Sequence, residues 1–200
     1  MPISKGTVLI IVALIGALGA IAVELIKCGP CPECPSNCST SIEQMEDVMM
    51  WNTWDDDKNS SVTKNSVSAW KNNGIRIDYN LTEDGYVGIY KQIEPKELSY
   101  TEGLRLHYMG SGAPNTIELK LIRDDGAPFV YPCNNATNTD GWRRIDACYK
   151  KFECWDKNVC NGDIIEPSRI KQLEIAISNK EGDKIGKGFV IVDEIEGITC

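Results

Sequence analysis

The sequence predicts an all-β sandwich domain held behind a single transmembrane α-helix. Three observations carry that prediction. The apolar run TVLIIVALIGALGAIAVELI, Thr7 to Ile26, is long enough to cross a bilayer, which takes about 20 residues as a helix. After residue 40, short segments alternate apolar and polar residues, punctuated by Gly, Pro, Asn and Asp, the pattern of half-buried strands. Nine cysteines accompany the apolar run, which points to an oxidising compartment where disulfides persist.

The elements follow in chain order. Residues 1–6 form a short cytoplasmic N-terminus and residues 7–27 the membrane helix. Basic residues near its ends, Lys5 and Lys27, nearly balance. Orientation therefore rests on the cysteines, which put the domain on the periplasmic or extracellular side of a single-pass cell-membrane protein. Four N-x-[ST] sequons, at Asn37, Asn59, Asn80 and Asn135, are compatible with that side. The run is longer than a signal peptide's apolar core and ends in Glu24-Leu25-Ile26-Lys27, which offers no small-residue cleavage site. A conventional signal and a prepilin-like leader at Ser4-Lys5-Gly6 stand as alternatives. Gly16 and Ala20 are four apart in a small-residue patch, and Glu24 is an ionisable group near the outer end. These three are candidates for packing against a partner helix.

Residues 28–40 read as a stalk. Cys28, Cys31 and Cys34 recur every third residue among Pro30, Pro32 and Pro35. In polyproline II the three thiols fall in one row, about 9 Å apart. Neighbours in the row are too far apart to bond each other, since a disulfide needs Cα atoms within about 7 Å. They are therefore expected to pair between chains, a self-association through the stalk. With Cys38 the spacing becomes C-x2-C-x2-C-x3-C, which a ferredoxin run shares. No second run exists to complete a two-cluster site, while a structural zinc site on four thiolates stays open.

Residues 41–200 hold the domain. Segments 74–81, 85–93, 102–110, 116–124, 127–133, 142–149, 170–178 and 188–198 each read as a strand. Asp124-Asp125-Gly126 reads as a hairpin turn and SRIKQ (168–172) as one helical turn. No long amphipathic helix is expected, so the class is a sandwich or barrel.

The order of these segments resembles the jelly rolls of carbohydrate-binding modules in the galactose-binding-like superfamily, and the related complex I intermediate-associated protein 30 domain. The likeness is carried by an opening acidic strand (Met45-Glu46-Asp47), GIRIDYNL then GYVGIYK, the step from Leu98 to Leu106, TIELKLIRDDG, Gly141-Trp142, SRIKQLEIAIS, and the closing Val190 to Ile195. It covers about residues 42–198. It implies a jelly-roll β-sandwich and a structural calcium site, with Glu46, Asp47 and Asp193 at the matching positions; oxygen ligands suit that hard cation. The alternative is plain solvated acids on a chain of net charge −8. In such a domain the first strand begins beside the end of the last, which implies a Cys38–Cys200 disulfide. Cys154 and Cys160 flank an excursion, CWDKNVC, that the family pattern lacks, and a local bridge is expected there. Cys133 and Cys148 end neighbouring segments and are expected to staple them.

No catalytic constellation is present. The one histidine, His107, sits at an alternating strand position without an evident partner, and no phosphate loop or zinc-hydrolase motif occurs. The acidic balance excludes a basic nucleic-acid footprint. Binding is the favoured class, without a cofactor beyond structural calcium. Trp51, Trp54 and Tyr86 flank loops and are the candidate exposed ligand contacts, because aromatics of sugar-binding members stack on pyranose faces. The expected function is a non-catalytic, membrane-anchored subunit whose domain docks on an integral-membrane or envelope protein complex. The alternatives are a cell-surface carbohydrate-binding module and a pilin-like or filament-forming surface subunit.

Overall fold

The computed structural model describes residues 40–160 and 164–200. Cys28, Cys31, Cys34, Cys38, Gly16, Ala20 and Glu24 lie outside the described residues, as does the whole 7–27 span. Among the described residues no helix is long and apolar enough to cross a membrane.

Twelve strands are described: β1 (Thr40–Glu43), β2 (Asn52–Asp55), β3 (Ser61–Ser68), β4 (Asn73–Leu81), β5 (Tyr86–Gln92), β6 (Gly103–Gly112), β7 (Thr116–Arg123), β8 (Pro128–Cys133), β9 (Arg143–Cys148), β10 (Glu153–Cys154), β11 (Ile170–Ser178) and β12 (Gly186–Ile198). A four-residue helix, α1 (Lys157–Cys160), follows β10. The strands form two antiparallel sheets. One runs β3-β4-β12-β6-β9 with β1 also on β12, and the other β10-β8-β7-β11-β5-β2.

Alternation builds the core between them. Ile75, Ile77, Tyr79 and Leu81 of β4, Leu104, Leu106 and Tyr108 of β6, and Val190, Val192 and Ile195 of β12 point inward from the first sheet. Val87 and Ile89 of β5, Leu173, Ile175 and Ile177 of β11, and Ile117, Leu119 and Leu121 of β7 meet them from the second. Each such side chain contributes about 1.5–3 kcal/mol by leaving water. The result is a jelly-roll β-sandwich, and all eight strand segments read from the sequence are in it. The 124–126 turn is also present. Gly126 N–H donates to the Arg123 carbonyl at 2.9 Å and sits at φ +89°, a conformation that favours glycine.

Four details differ from expectation. The opening strand is Thr40–Glu43, not Met45-Glu46-Asp47. Met45 turns the chain at φ 60° and is fully buried, and the Asp47 carboxylate accepts a 3.0 Å bond from Met49 N–H to cap a 3-10 turn over Val48–Met50. The turn expected at 168–172 is a 3-10 turn over Pro167–Arg169, and strand begins at Ile170. Cys200 bonds Cys148 rather than Cys38, with Cα atoms 6.0 Å apart. The end of β12 lies along β6, whose other neighbour is β9, so the C-terminus ends beside Cys148. Cys133 therefore has no partner in Cys148 and is a free, half-buried thiol. The expected Cys154–Cys160 pair is bonded in the structure.

Candidate functional site

The second sheet has an outer face that is neither apolar nor simply charged. Cross-strand register places its residues in rows. One row runs Asn52, Tyr90, Glu174, Lys120 and Val130 from β2 to β8. The next runs Trp54, Gly88, Ala176, Glu118 and Pro132. A third holds Tyr86, Ser178 and Thr116.

Small residues in the second row seat an indole. A Cβ on Gly88 would lie 2.9 Å from Cζ2 of Trp54, so only glycine lets the ring lie across β5. The Trp54 ring stands 5.6 Å from that of Tyr86. Lys120 reaches up between aromatics, its ammonium 5.1 Å from the Trp54 ring centre, 5.8 Å from Tyr86 and 5.7 Å from Trp155. Those distances are within cation–π range. Trp155 stands just beyond β10 and is 64% exposed.

Beneath the rings lies a charge relay. Glu118 is buried, and its carboxylate meets Lys120 Nζ at 3.2 Å and Lys180 Nζ at 2.8 Å. Burial alone would push its carboxyl up, but the two ammonium groups outweigh it and hold the carboxyl below the ordinary range. Glu174 shifts upward because burial dominates there, against a hydrogen bond from Gln172. Trp54 Nε1 and Ser178 Oγ are buried with no hydrogen-bond partner among the described residues.

Two depressions cover the face. One, about 300 Å³, is lined by Asp84, Tyr86, Lys120, Ser178 and Asn179. The other, about 550 Å³, is lined by Val130, Pro132, Asn134 and Glu153. Both are bordered by Glu118, Trp155, Lys180 and Glu181, so they form one groove across the strands with Trp155 between its halves. Aromatic faces and spaced polar groups along an open groove suit a chain of hydroxylated rings. They do not suit proton transfer, since Glu118 is committed to two lysines and His107 lies on the other sheet.

Of the expected ligand contacts, Tyr86 lines this groove, and Trp54 packs beside it against Tyr86 and Lys120. Trp51 is not, because it is 1% exposed and part of the core. Its neighbours explain the difference: the first residue of the β2 region turns inward and Trp54, three on, lies on the outer face. Trp155, Lys120, Glu118 and Lys180 escaped the sequence reading. Trp155 had a signal, a tryptophan inside a short cysteine-bounded excursion, whereas Lys120 and Glu118 are visible only through strand register and Lys180 only through the turn after β11.

The expected calcium ligands are divided. Asp193 and Glu46 line one small cavity with Lys71, Asn72 and Glu194, but Asp47 is spent on its turn. Asp193 Oδ2 accepts a 2.8 Å bond from Lys71 N–H, and Glu46 Oε1 a 2.9 Å bond from Asn72 Nδ2. The Lys71 ammonium pairs with Glu194 and lies 3.9 Å from Glu196. Among the described residues no group of three or more acidic, histidine or cysteine side chains could hold a metal ion. A lysine cation sits among these acids.

The opposite sheet carries a second aromatic cluster. Trp70, half-exposed, stacks on His107 at 5.6 Å and meets Trp142 at 5.9 Å.

No protein-family model matches the chain. No curated protein matches it either. Solved structures do. A family 11 carbohydrate-binding module from Clostridium thermocellum, in complex with a β-1,3-1,4-mixed-linked tetrasaccharide, superposes with a TM-score of 0.65 at 18% identity, over 81% of this chain and 96% of that one. A family 30 carbohydrate-binding module gives 0.53 at 12% identity, over 80% of this chain and 99% of that one. A β-1,2-glucanase from Parabacteroides distasonis gives 0.55 at 9% identity, with 80% of this chain matched to 24% of the enzyme. At these identities the likeness establishes the fold alone, a β-sandwich similar to those of these modules.

Proposed function

We propose that this domain is a non-catalytic glycan-binding module that holds a polysaccharide chain in the groove on the outer face of its second sheet. The observation that carries the reading is the aromatic set Trp54, Tyr86 and Trp155 gathered around Lys120 on that face. The carbohydrate-binding modules of like fold support it, and they favour it over docking on a membrane protein complex. The apolar run 7–27 and the stalk 28–40 then serve as a tether, with Cys28, Cys31 and Cys34 cross-linking neighbouring copies so that several grooves face one glycan. Linked sites gain avidity without new contacts.

A second reading rests on the Trp70, His107 and Trp142 cluster. It lies on the other sheet and leaves that side free to dock on an envelope protein while the groove is filled.

Titration calorimetry of the full chain against a glycan panel that includes the β-1,3-1,4-mixed-linked tetrasaccharide tests the first reading. Binding that is lost in Trp54→Ala and Tyr86→Ala is expected. No heat with any glycan would sink it.

A further inference from the structure

Four residues border both halves of the groove, and the one aromatic among them, Trp155, is carried by a loop with little else to hold it. Strand β10 is two residues long and pairs only at the edge of the sheet, Glu153 with Val130 and Cys154 with Phe129. After it, Trp155 N–H donates to the Pro128 carbonyl at 3.0 Å. Asp156 closes the next turn, accepting from Asn158 N–H at 3.0 Å and, through its carbonyl, from Val159 and Cys160. The firm anchor is the Cys154–Cys160 bond. Cys160 is fully buried and Cys154 packs against the same core, so both ends of the seven-residue loop are pinned inward. Trp155, between them, is pushed out to 64% exposure over the groove. Its ring touches no other aromatic among the described residues. Its one recorded ring partner is the Lys120 ammonium at 5.7 Å.

We infer that the Cys154–Cys160 loop is the specificity element of this groove, and that its disulfide positions Trp155 as the central platform on which one pyranose ring of a bound chain stacks. This rests on the glycan reading above. The chemistry is direct. A large, rigid aromatic exposed at the middle of a groove offers an apolar face at small entropic cost. Pyranoses with axial hydrogens on one face match it. Polar side chains on either side, Glu181 and Lys180 shared with Asn179 in one half and Asn134 in the other, take hydroxyls of the flanking units. A monosaccharide fills one half and gains only part of this, so the loop selects for chain interiors that span both halves. Trp155 is the contact residue, and Cys154 and Cys160 act through it as positioning residues.

The test is a double-mutant cycle on the full chain in detergent, read by titration calorimetry with the β-1,3-1,4-mixed-linked tetrasaccharide and with glucose. Trp155→Ala is expected to weaken tetrasaccharide binding by about tenfold or more. The paired change Cys154→Ser with Cys160→Ser is expected to weaken it by about threefold to tenfold, mainly through faster release. Removing the disulfide in the Trp155→Ala background is expected to cost nothing further, because the bond acts only through that ring. Trp155→Phe should recover most of the affinity, and glucose should bind weakly to every variant.

A cysteine pair whose loss weakens Trp155→Ala as much as wild type would overturn the inference. So would tetrasaccharide affinity unchanged in Trp155→Ala, with the glycan reading intact. If wild type binds no glycan while remaining folded by thermal melting, the glycan reading falls and takes this inference with it.

Discussion

The Lys120 ammonium lies 5.1 Å from the centre of the Trp54 ring and 3.2 Å from the Glu118 carboxylate, tying the aromatic wall of the groove to its acidic floor. Lys120→Met keeps the aliphatic stem and removes the charge. Glu118 then retains only Lys180. We expect a stability loss of about 1–2 kcal/mol in urea denaturation, less than for a fully orphaned buried charge. Glycan affinity should fall as well, because the rings lose the cation between them. Unchanged stability would mean that the relay contributes nothing.

Trp51 and Trp54 are three residues apart and should behave as opposites. Trp51 is part of the core, so Trp51→Ala is expected to cost about 3–5 kcal/mol in stability. Trp54→Ala should leave the sandwich folded with a much smaller loss and abolish most glycan binding. Denaturation curves beside calorimetry for the two variants separate the roles.

The groove also sets a pH signature. Glu174 is half-buried on the sheet face, and that desolvation raises its carboxyl above the usual 4.5. A carboxyl raised in the folded state favours folding while it is protonated. That benefit is present below the unfolded value and is lost as pH rises through the folded one. Glu174→Gln keeps the hydrogen-bonding shape and removes the charge. The variant should therefore be more stable than wild type at pH 7 and indistinguishable from it near pH 4. Glu118 moves the other way. Its depressed carboxyl stabilises the fold above the unfolded value and ceases to as pH falls through the folded one, so Glu118→Gln should lose stability at pH 7.

Disulfide mapping distinguishes the pairing the structure shows from the one expected of the fold family. A non-reducing peptide digest should link Cys148 to Cys200 and Cys154 to Cys160, with Cys133 alkylated once the protein is unfolded. The first bond closes a sequence separation of 52. Its removal by paired serine substitution should cost about 2–4 kcal/mol. On a non-reducing gel of membranes, cross-linking through Cys28, Cys31 and Cys34 should give a ladder that collapses on reduction. Monomer alone would refute the stalk reading.

At the corner near Asp193, calcium and chelator should be without effect on thermal melting, because Lys71 supplies the cation that pairs with Glu194. Lys71→Met leaves Glu194, 8% exposed, without its counter-charge and should lower stability. A calcium-dependent rise in melting temperature of wild type would overturn this account.

The sequence determined eight strands, all but β9 with a neighbour on each side. Each is buried on at least one face, so burial writes an alternating code that can be read one residue at a time. The strands it left unread, β1, β2, β3 and β10, all lie at edges of the two sheets. An edge strand such as Ser61–Ser68 shows mostly polar residues, because little of it packs and because a polar edge resists pairing with other chains. Tertiary structure alone decided the site. Trp54, Lys120 and Trp155 come from β2, β7 and the loop after β10, and only sheet order and register bring the Lys120 ammonium within 6 Å of both rings. It also decided the cysteines. Which strand ends lie within reach of a disulfide is a matter of where β12 finishes, and it finishes beside Cys148. Local pattern follows from what each residue buries, whereas a binding surface depends on which strands become neighbours, and no single segment records that.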